Sequence, residues 1–176
     1  DADVMEQAVE IAKVDLQINS VESLRNCKYA YGVIDVLNIK NVNVKQFEFG
    51  KVTRLGGEAS FLYIVKGIQL ASEGKVDAVT TGPISKKAIN FAGHPYSGHT
   101  EIFAEFTNTK DYCMMLICKD FRVSHVTTHV PLRRVPELVN KARVLKVIQL
   151  THEALIQMGI KSPRIAVAGL NPHSGE

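Results

Sequence analysis

Three of the six histidines in this 176-residue chain stand where the backbone is expected to turn, and each has neighbours suited to binding. His99 lies in Ser97-Gly-His-Thr-Glu101, His129 closes Val126-Thr-Thr-His129, and His173 closes Gly169-Leu-Asn-Pro-His173. Ahead of them runs Asp77-Ala-Val-Thr-Thr-Gly-Pro-Ile-Ser-Lys-Lys-Ala-Ile89, a β-branched stretch cut off by Gly82-Pro83 and followed at once by helix formers. That order predicts a strand, a tight turn and a helix start, whose free backbone N–H groups favour anions. Taken together, these residues suggest a phosphate and metal site carried on the loops of an α/β enzyme.

Each of these residues also has a plainer reading. A ring N–H from His99, the Thr100 hydroxyl and free backbone donors can converge on a phosphate or carboxylate. Equally, Thr100 can simply cap the following helix and leave His99 solvated; the spacing leaves this open. His125 and His129 have the i, i+4 spacing of a helical zinc pair. Their surroundings are β-branched, however, and four residues of strand span roughly 13 Å, too far for one ion. His129, at the strand end, is therefore the better ligand, and His125 is expected to be a sheet residue with a hydrogen-bonded ring. His129 and His173 end separate strands and can meet at one sheet edge. A catalytic metal site commonly needs three protein ligands and an open position, so on pattern alone a structural role for one or both is the simpler reading. Lys86 and Lys87 open a helix, where the dipole disfavours a cation. This points to a nearby anion or to a solvated pair, and Arg133 and Arg134 carry the same ambiguity.

The elements that would position these groups follow from periodicity. Helices are expected over 3–13, 58–72, 85–91 and 101–106, with Gly56-Gly57 as a loop, Gly74 ending the second and Thr100 capping the last. A further long helix starts at Pro136 and stops at Gly159. Strands are expected over 31–36, 40–49, 76–81, 113–118, 122–128 and 164–168. The pair 113–118 and 122–128 would form a hairpin through Lys119-Asp120-Phe121. Alternating helices and strands with one hairpin predict an α/β fold with a mixed sheet, and sites in such folds lie beyond strand C-termini.

Composition narrows the class. An apolar share of 45% is ordinary for a globular chain, and no apolar run reaches membrane-spanning length, so no membrane partner is expected. A net charge of +3, scattered, does not argue for nucleic acid. Cys27, Cys113 and Cys118 have no zinc spacing and make an odd set, so they are expected to be small core residues in a reducing cytosol. The chain starts in a helical pattern and stops in a polar loop, which suggests part of a longer protein.

Several segments resemble, in order, the 4-hydroxythreonine-4-phosphate dehydrogenase (PdxA) family. They are Thr81-Gly-Pro-Ile-Ser-Lys-Lys-Ala-Ile89, Pro95-Tyr-Ser-Gly-His-Thr-Glu101, Met114-Met-Leu116, Arg122-Val123, Thr127-Thr-His-Val-Pro-Leu-Arg133 and Pro163-Arg-Ile-Ala-Val-Ala-Gly-Leu-Asn-Pro-His-Ser-Gly-Glu176. Each is weak alone, the ordered set is specific, and residues 1–49 match only loosely. The resemblance implies a three-layer α/β/α fold of the isocitrate and isopropylmalate dehydrogenase type. Residues 1–176 would then be part of a two-domain subunit of a cytoplasmic homodimer, with the active site at the subunit interface.

The implied reaction is oxidation, with decarboxylation, of a phosphorylated hydroxy acid by NAD or NADP with a divalent metal (zinc, magnesium, manganese or cobalt). In the family this is 4-phosphohydroxy-L-threonine going to 3-amino-2-oxopropyl phosphate in pyridoxal phosphate synthesis. By motif, His99 and Thr100 would contact substrate, and His129 and His173 would bind the metal. The family's third metal histidine, in a His-Asp-Gln-Gly motif, is expected beyond Glu176. No residue earns the role of catalytic base. Ala92-Gly-His-Pro-Tyr96, Lys110-Asp-Tyr112 and Ser124-His-Val-Thr-Thr-His129 resemble more closely the branch that oxidises 4-phospho-D-threonate or 4-phospho-D-erythronate. Two rivals from other classes are a metal-independent phosphate-handling acyltransferase and a non-catalytic partner domain.

Overall fold

Residues 1–173 are described by the computed structural model, and they divide after Phe106 into two units. In the first, helix α1 (Ala2–Ala12) is opened by Asp1, whose carboxylate accepts from Asp3 N at 3.1 Å and from Val42 N at 3.3 Å. Strands β1 (Gln17–Val21) and β2 (Val33–Leu37) pair in parallel, with Gln17 opposite Val33 and Val21 opposite Leu37. β2 matches the strand expected near 31–36. β1 was not foreseen, because Gln17, Asn19 and Ser20 break any apolar run. The strand expected over 40–49 does not form. Asn43 caps a single 3-10 turn at Val44–Gln46 instead, so the apolar and polar alternation there reflects a turn.

Helix α2 (Arg54–Ser72) starts four residues earlier than its apolar stripe suggests. Thr53 Oγ1 accepts from Gly56 N at 3.1 Å, so Gly56 and Gly57 lie in the first turn and not in a loop. The glycine at 57 is there for proximity: a Cβ on it would collide with the backbone carbonyl of Ala88. Gly74, at φ +64°, ends the helix as expected. Helix α3 (Lys86–Ala92) is capped by Ser85 Oγ, which accepts from Ala88 N at 3.2 Å, and closed by Gly93 at φ +104°. Helix α4 (His99–Phe106) follows. Phe61, Ile64 and Ile68 of α2, Ile89 of α3 and Ile102 of α4 form the buried cluster of this unit.

The second unit contains the expected hairpin, β3 (Met115–Cys118) and β4 (Phe121–Ser124), with Met115 opposite Ser124 and Cys118 opposite Phe121. Its turn is two residues, Lys119 and Asp120, because Phe121 is already paired. Pro136 does not begin the long helix. It lies in the short helix α5 (Val135–Leu138), and Asn140, in extended backbone, caps a separate helix α6 (Lys141–Gln157) by accepting from Arg143 N at 3.0 Å. α6 buries Val147, Thr151 and Leu155, and the Thr151 hydroxyl ties it to Ser124 Oγ at 2.8 Å.

The runs expected as strands over 76–81 and 164–168 have no ladder partner among the described residues, and no strand is formed there. The first of them is still packed: Val79 Cγ1 lies 3.3 Å from where a Cβ on Gly67 of α2 would stand. β4 ends at Ser124, four residues before its expected end. The expected α/β class is present, and its strands form one parallel and one antiparallel pair. None of the cysteines is buried as expected: Cys27 and Cys113 are half-buried and Cys118 is exposed.

Candidate functional site

The chain from 93 to 98 leads into His99 and Thr100, and His94, which has no role assigned by the motif that contains it, holds it down. His94 Nε2 meets Glu58 Oε2 of α2 at 2.8 Å, and its ring stacks on Phe61 with centroids 3.6 Å apart and planes 15° apart. A carboxylate is acceptor-only, so this contact sets the ring proton on Nε2. Tyr96 also stacks on Phe61, with centroids 5.7 Å apart, and Asn90 Nδ2 donates to its carbonyl at 2.9 Å.

Helix α4 then starts at His99, one residue before the expected cap, so Thr100 sits inside the first turn and does not cap it. His99 shares a helix face with Ile102 and Phe103, three and four residues on. Ile102 is fully buried and Phe103 packs on the core. This draws His99 inward: its Nε2 is buried and has no hydrogen-bond partner, and the same is true of Glu101 Oε2. A buried, unpaired polar atom costs about 1–3 kcal/mol. An imidazole nitrogen left in that state suits an oxygen supplied by a ligand.

In the second unit, His125 lies just past β4, where its backbone N donates to Met114 O at 3.0 Å. Its ring Nδ1 also comes within 3.4 Å of that oxygen. His125 is thus tied to the hairpin through the hydrogen-bonded ring that was expected, although it lies just outside the strand. His129 is exposed, with φ +54°, a left-handed conformation uncommon for a residue with a Cβ. The stretch leading to it is held by Arg143 of α6, whose Nε donates to Val126 O and whose Nη2 donates to Tyr112 O, both at 3.0 Å. Arg143 therefore clamps both flanks of the hairpin. Neither it nor the His94–Glu58 pair has a local motif, since the partners are 17 to 36 residues apart. Burial pushes the Cys113 thiol up from its ordinary range, opposed by the Arg143 charge and by Ser124.

His173 is exposed, and the loop after it lies outside the described residues. Among the described residues no group of three or more His, Cys, Asp or Glu side chains is placed to hold a metal ion. His129 and His173 offer the right donor type, imidazole, but two donors fall short of a catalytic metal's usual three. A cavity of about 250 Å³ in the first unit, bordered by Val42, Tyr63 and Ser60, includes neither His99 nor Thr100. No described helix is long and apolar enough to cross a membrane.

The α/β elements and the loop histidines define a class that the comparisons with known proteins make specific. The family described as the pyridoxal phosphate biosynthetic protein PdxA matches residues 1–176, and the chain belongs to that family. The match takes in residues 1–49, where motifs carry little. A Clostridium botulinum (strain Hall) protein named "Putative D-threonate 4-phosphate dehydrogenase" is 42% identical over 176 residues, which is 100% of this chain and 53% of that protein. A Fusobacterium nucleatum protein of the same name is 40% identical over the same length, again 53% of its own.

Among solved structures, a 4-hydroxythreonine-4-phosphate dehydrogenase from Burkholderia phymatum is similar with TM-score 0.84 and 34% identity, over 99% of this chain and 53% of that one. One from Klebsiella pneumoniae has TM-score 0.83 and 34% identity, over 92% and 49%. The α/β fold is thus that of PdxA dehydrogenases. The chain spans about half the length of the curated relatives it matches.

Proposed function

We propose that the protein is a cytoplasmic, homodimeric oxidoreductase that uses NAD or NADP and a divalent metal to oxidise and decarboxylate a small phosphorylated hydroxy acid. Residues 1–176 then form part of a two-domain subunit whose site is completed at the subunit interface. The observation that carries this reading is His99, whose buried, unpaired Nε2 opens α4 in a chain of the PdxA family. Within this reading His99 Nε2 binds a substrate oxygen, and the Thr100 hydroxyl, one residue on, adds a second contact. The packing of Ile102 fixes both groups before substrate arrives, so little reorganisation is needed on binding. His129 and His173 are two of the metal ligands, and the third comes from outside the described residues. When bound, the metal polarises the substrate hydroxyl and the nicotinamide accepts hydride.

Two substrates fit. One is 4-phosphohydroxy-L-threonine, the reaction of pyridoxal phosphate synthesis. The other is D-threonate 4-phosphate, and the names of relatives at 40–42% identity favour it.

The test is NADH formation by the full-length protein with divalent metal, offering each substrate separately. Turnover of one substrate, abolished by a chelator and by His129→Ala or His173→Ala with the fold intact, is the expected result. Full activity in either histidine variant would remove the metal assignment. NADH formation indifferent to chelator would remove the metal from the reaction altogether.

A further inference from the structure

Asparagine is a poor choice within a helix, because its side chain competes with the backbone for hydrogen bonds. Asn90 nevertheless stands inside α3, between Ile89 and Phe91. Its amide group has two protons to donate, and both are used. Nδ2 donates to Lys86 O, one turn back on the same helix, and to Tyr96 O beyond the helix end, each at 2.9 Å. The first bond is local and steadies the side chain. The second leaves the helix and reaches the chain that runs from α3 to α4. There His94 N donates to Ile89 O at 3.1 Å and Tyr96 N to His94 O at 2.9 Å, so the backbone is already gathered toward α3 as far as Tyr96. Past it, only Ser97 and Gly98 separate Tyr96 from His99. Three residues of chain span at most about 11 Å, so the place of the Tyr96 carbonyl limits where His99 can begin α4.

We infer that Asn90 is a positioning residue for His99: by holding the Tyr96 carbonyl, it fixes the point from which the chain enters α4. The inference rests on the function proposed above, in which His99 binds substrate. Asn90 itself touches no substrate in this reading and acts through two residues of intervening chain. The stack of Tyr96 on Phe61 restrains the ring, and the Asn90 bond restrains the backbone behind it. Asn90 is exposed, so its side chain adds little to the core. What it supplies is direction. A group held in its working place before substrate arrives binds with less loss of freedom, and a small displacement is enough to weaken that.

The experiment uses the full-length protein and reads KM and kcat for D-threonate 4-phosphate, urea unfolding, and hydrogen exchange over residues 94–104. Asn90→Ala removes both donors but places a better helix former in α3, so the urea midpoint should stay near that of wild type. KM should nevertheless rise about threefold to tenfold, with kcat changed little, and exchange over 94–104 should quicken. Asn90→Asp keeps the shape and turns the donor into an acceptor facing two carbonyl oxygens, so its KM should rise at least as far. An unchanged KM in both variants would overturn the inference whatever the urea midpoint does, since a merely structural bond moves the midpoint alone. A raised KM with unaltered exchange would overturn it too, because the stretch before α4 would then not transmit the change. Should the wild type oxidise none of the substrates, the proposed reaction fails first. Exchange over 94–104 in Asn90→Ala then still decides whether Asn90 holds the entry to α4, and exchange equal to wild type overturns it.

Discussion

His99 and His129 are held by different forces, and the contrast follows from the elements that carry them. His99 stands on a helix whose inner face includes Ile102, fully buried, and its approach is fastened by a ring stacked on Phe61. His129 stands exposed on a left-handed turn, and what steadies the backbone before it is the pair of bonds from Arg143 to Tyr112 O and Val126 O. Packing therefore fixes the first histidine and directed polar bonds fix the second. Packing forgives changes at the surface and punishes changes in volume. A guanidinium clamp behaves the other way round.

The sharpest way to probe the packed side is volume at the α2–α3 contact. Gly57→Ala places a methyl where the Ala88 carbonyl already stands, and backbone cannot step aside as a side chain can. The helices must separate, at about 3 kcal/mol or more. Urea unfolding of the full-length protein should show a lower midpoint, together with a higher KM through the displaced α4. A midpoint equal to wild type would mean that the core does not depend on that contact.

On the polar side the matching change is Arg143→Lys, which keeps the charge and loses the fork. One ammonium cannot reach both carbonyls as Nε and Nη2 do, so about 2 kcal/mol is expected to be lost. If His129 is a metal ligand, metal affinity should fall with it while substrate contacts through His99 persist. Lysine behaving as arginine does would show that the fork is dispensable.

The same contrast explains what the sequence makes legible. Some signals that act within one turn read correctly, namely Gly74 and Gly159 after their helices and the apolar face of α2. By contrast, Ser85, expected as the first residue of α3, is its cap, and Thr100, expected as a cap, lies inside α4. Signals that depend on a distant partner are not legible. Gly56-Gly57 has the composition of a loop, and only Ala88, some 30 residues away, explains a glycine within a helix. The β-branched runs at 76–81 and 164–168 have strand composition, but a strand exists only beside another strand. Strand β1 shows the converse, a polar segment made extended by its neighbour. For the candidate site, His99, Thr100, His129 and His173 were visible as residue types at turns. The groups that position them, His94 with Glu58 and Arg143, were not, because nothing local marks a pairing across 17 to 36 residues.

His94→Ala tests whether the packed histidine also relies on one polar tie. The variant loses the bond to Glu58 and the stack on Phe61, together about 2 kcal/mol. Glu58→Gln keeps the stack and an acceptor oxygen, and should cost less than half as much. If the loop positions His99, His94→Ala raises KM while Glu58→Gln leaves it near wild type. Equal effects would shift the weight from packing to the hydrogen bond and blur the contrast between the two histidines.

The smallest expected effect concerns a carboxylate that no catalytic reading uses. Asp35 of β2 accepts from Asn19 Nδ2 at 2.6 Å, from Lys28 N at 3.0 Å and from Tyr29 N at 2.9 Å. The Asn19 bond first, then the two backbone N–H groups, hold its pKa below the ordinary 3.8. A carboxyl depressed in the folded state stabilises the fold above its unfolded pKa and loses that contribution as pH falls through the folded one. Asp35 should thus add its full share at pH well above 3.8 and give it up progressively below. Asp35→Asn removes that dependence, so the urea midpoints of wild type and variant should differ at neutral pH and converge in acid. Parallel curves across that window would mean that the three donors are as well met by an amide. The β1–β2 pair would then be held by its ladder alone, a third kind of restraint beside the core and the clamp.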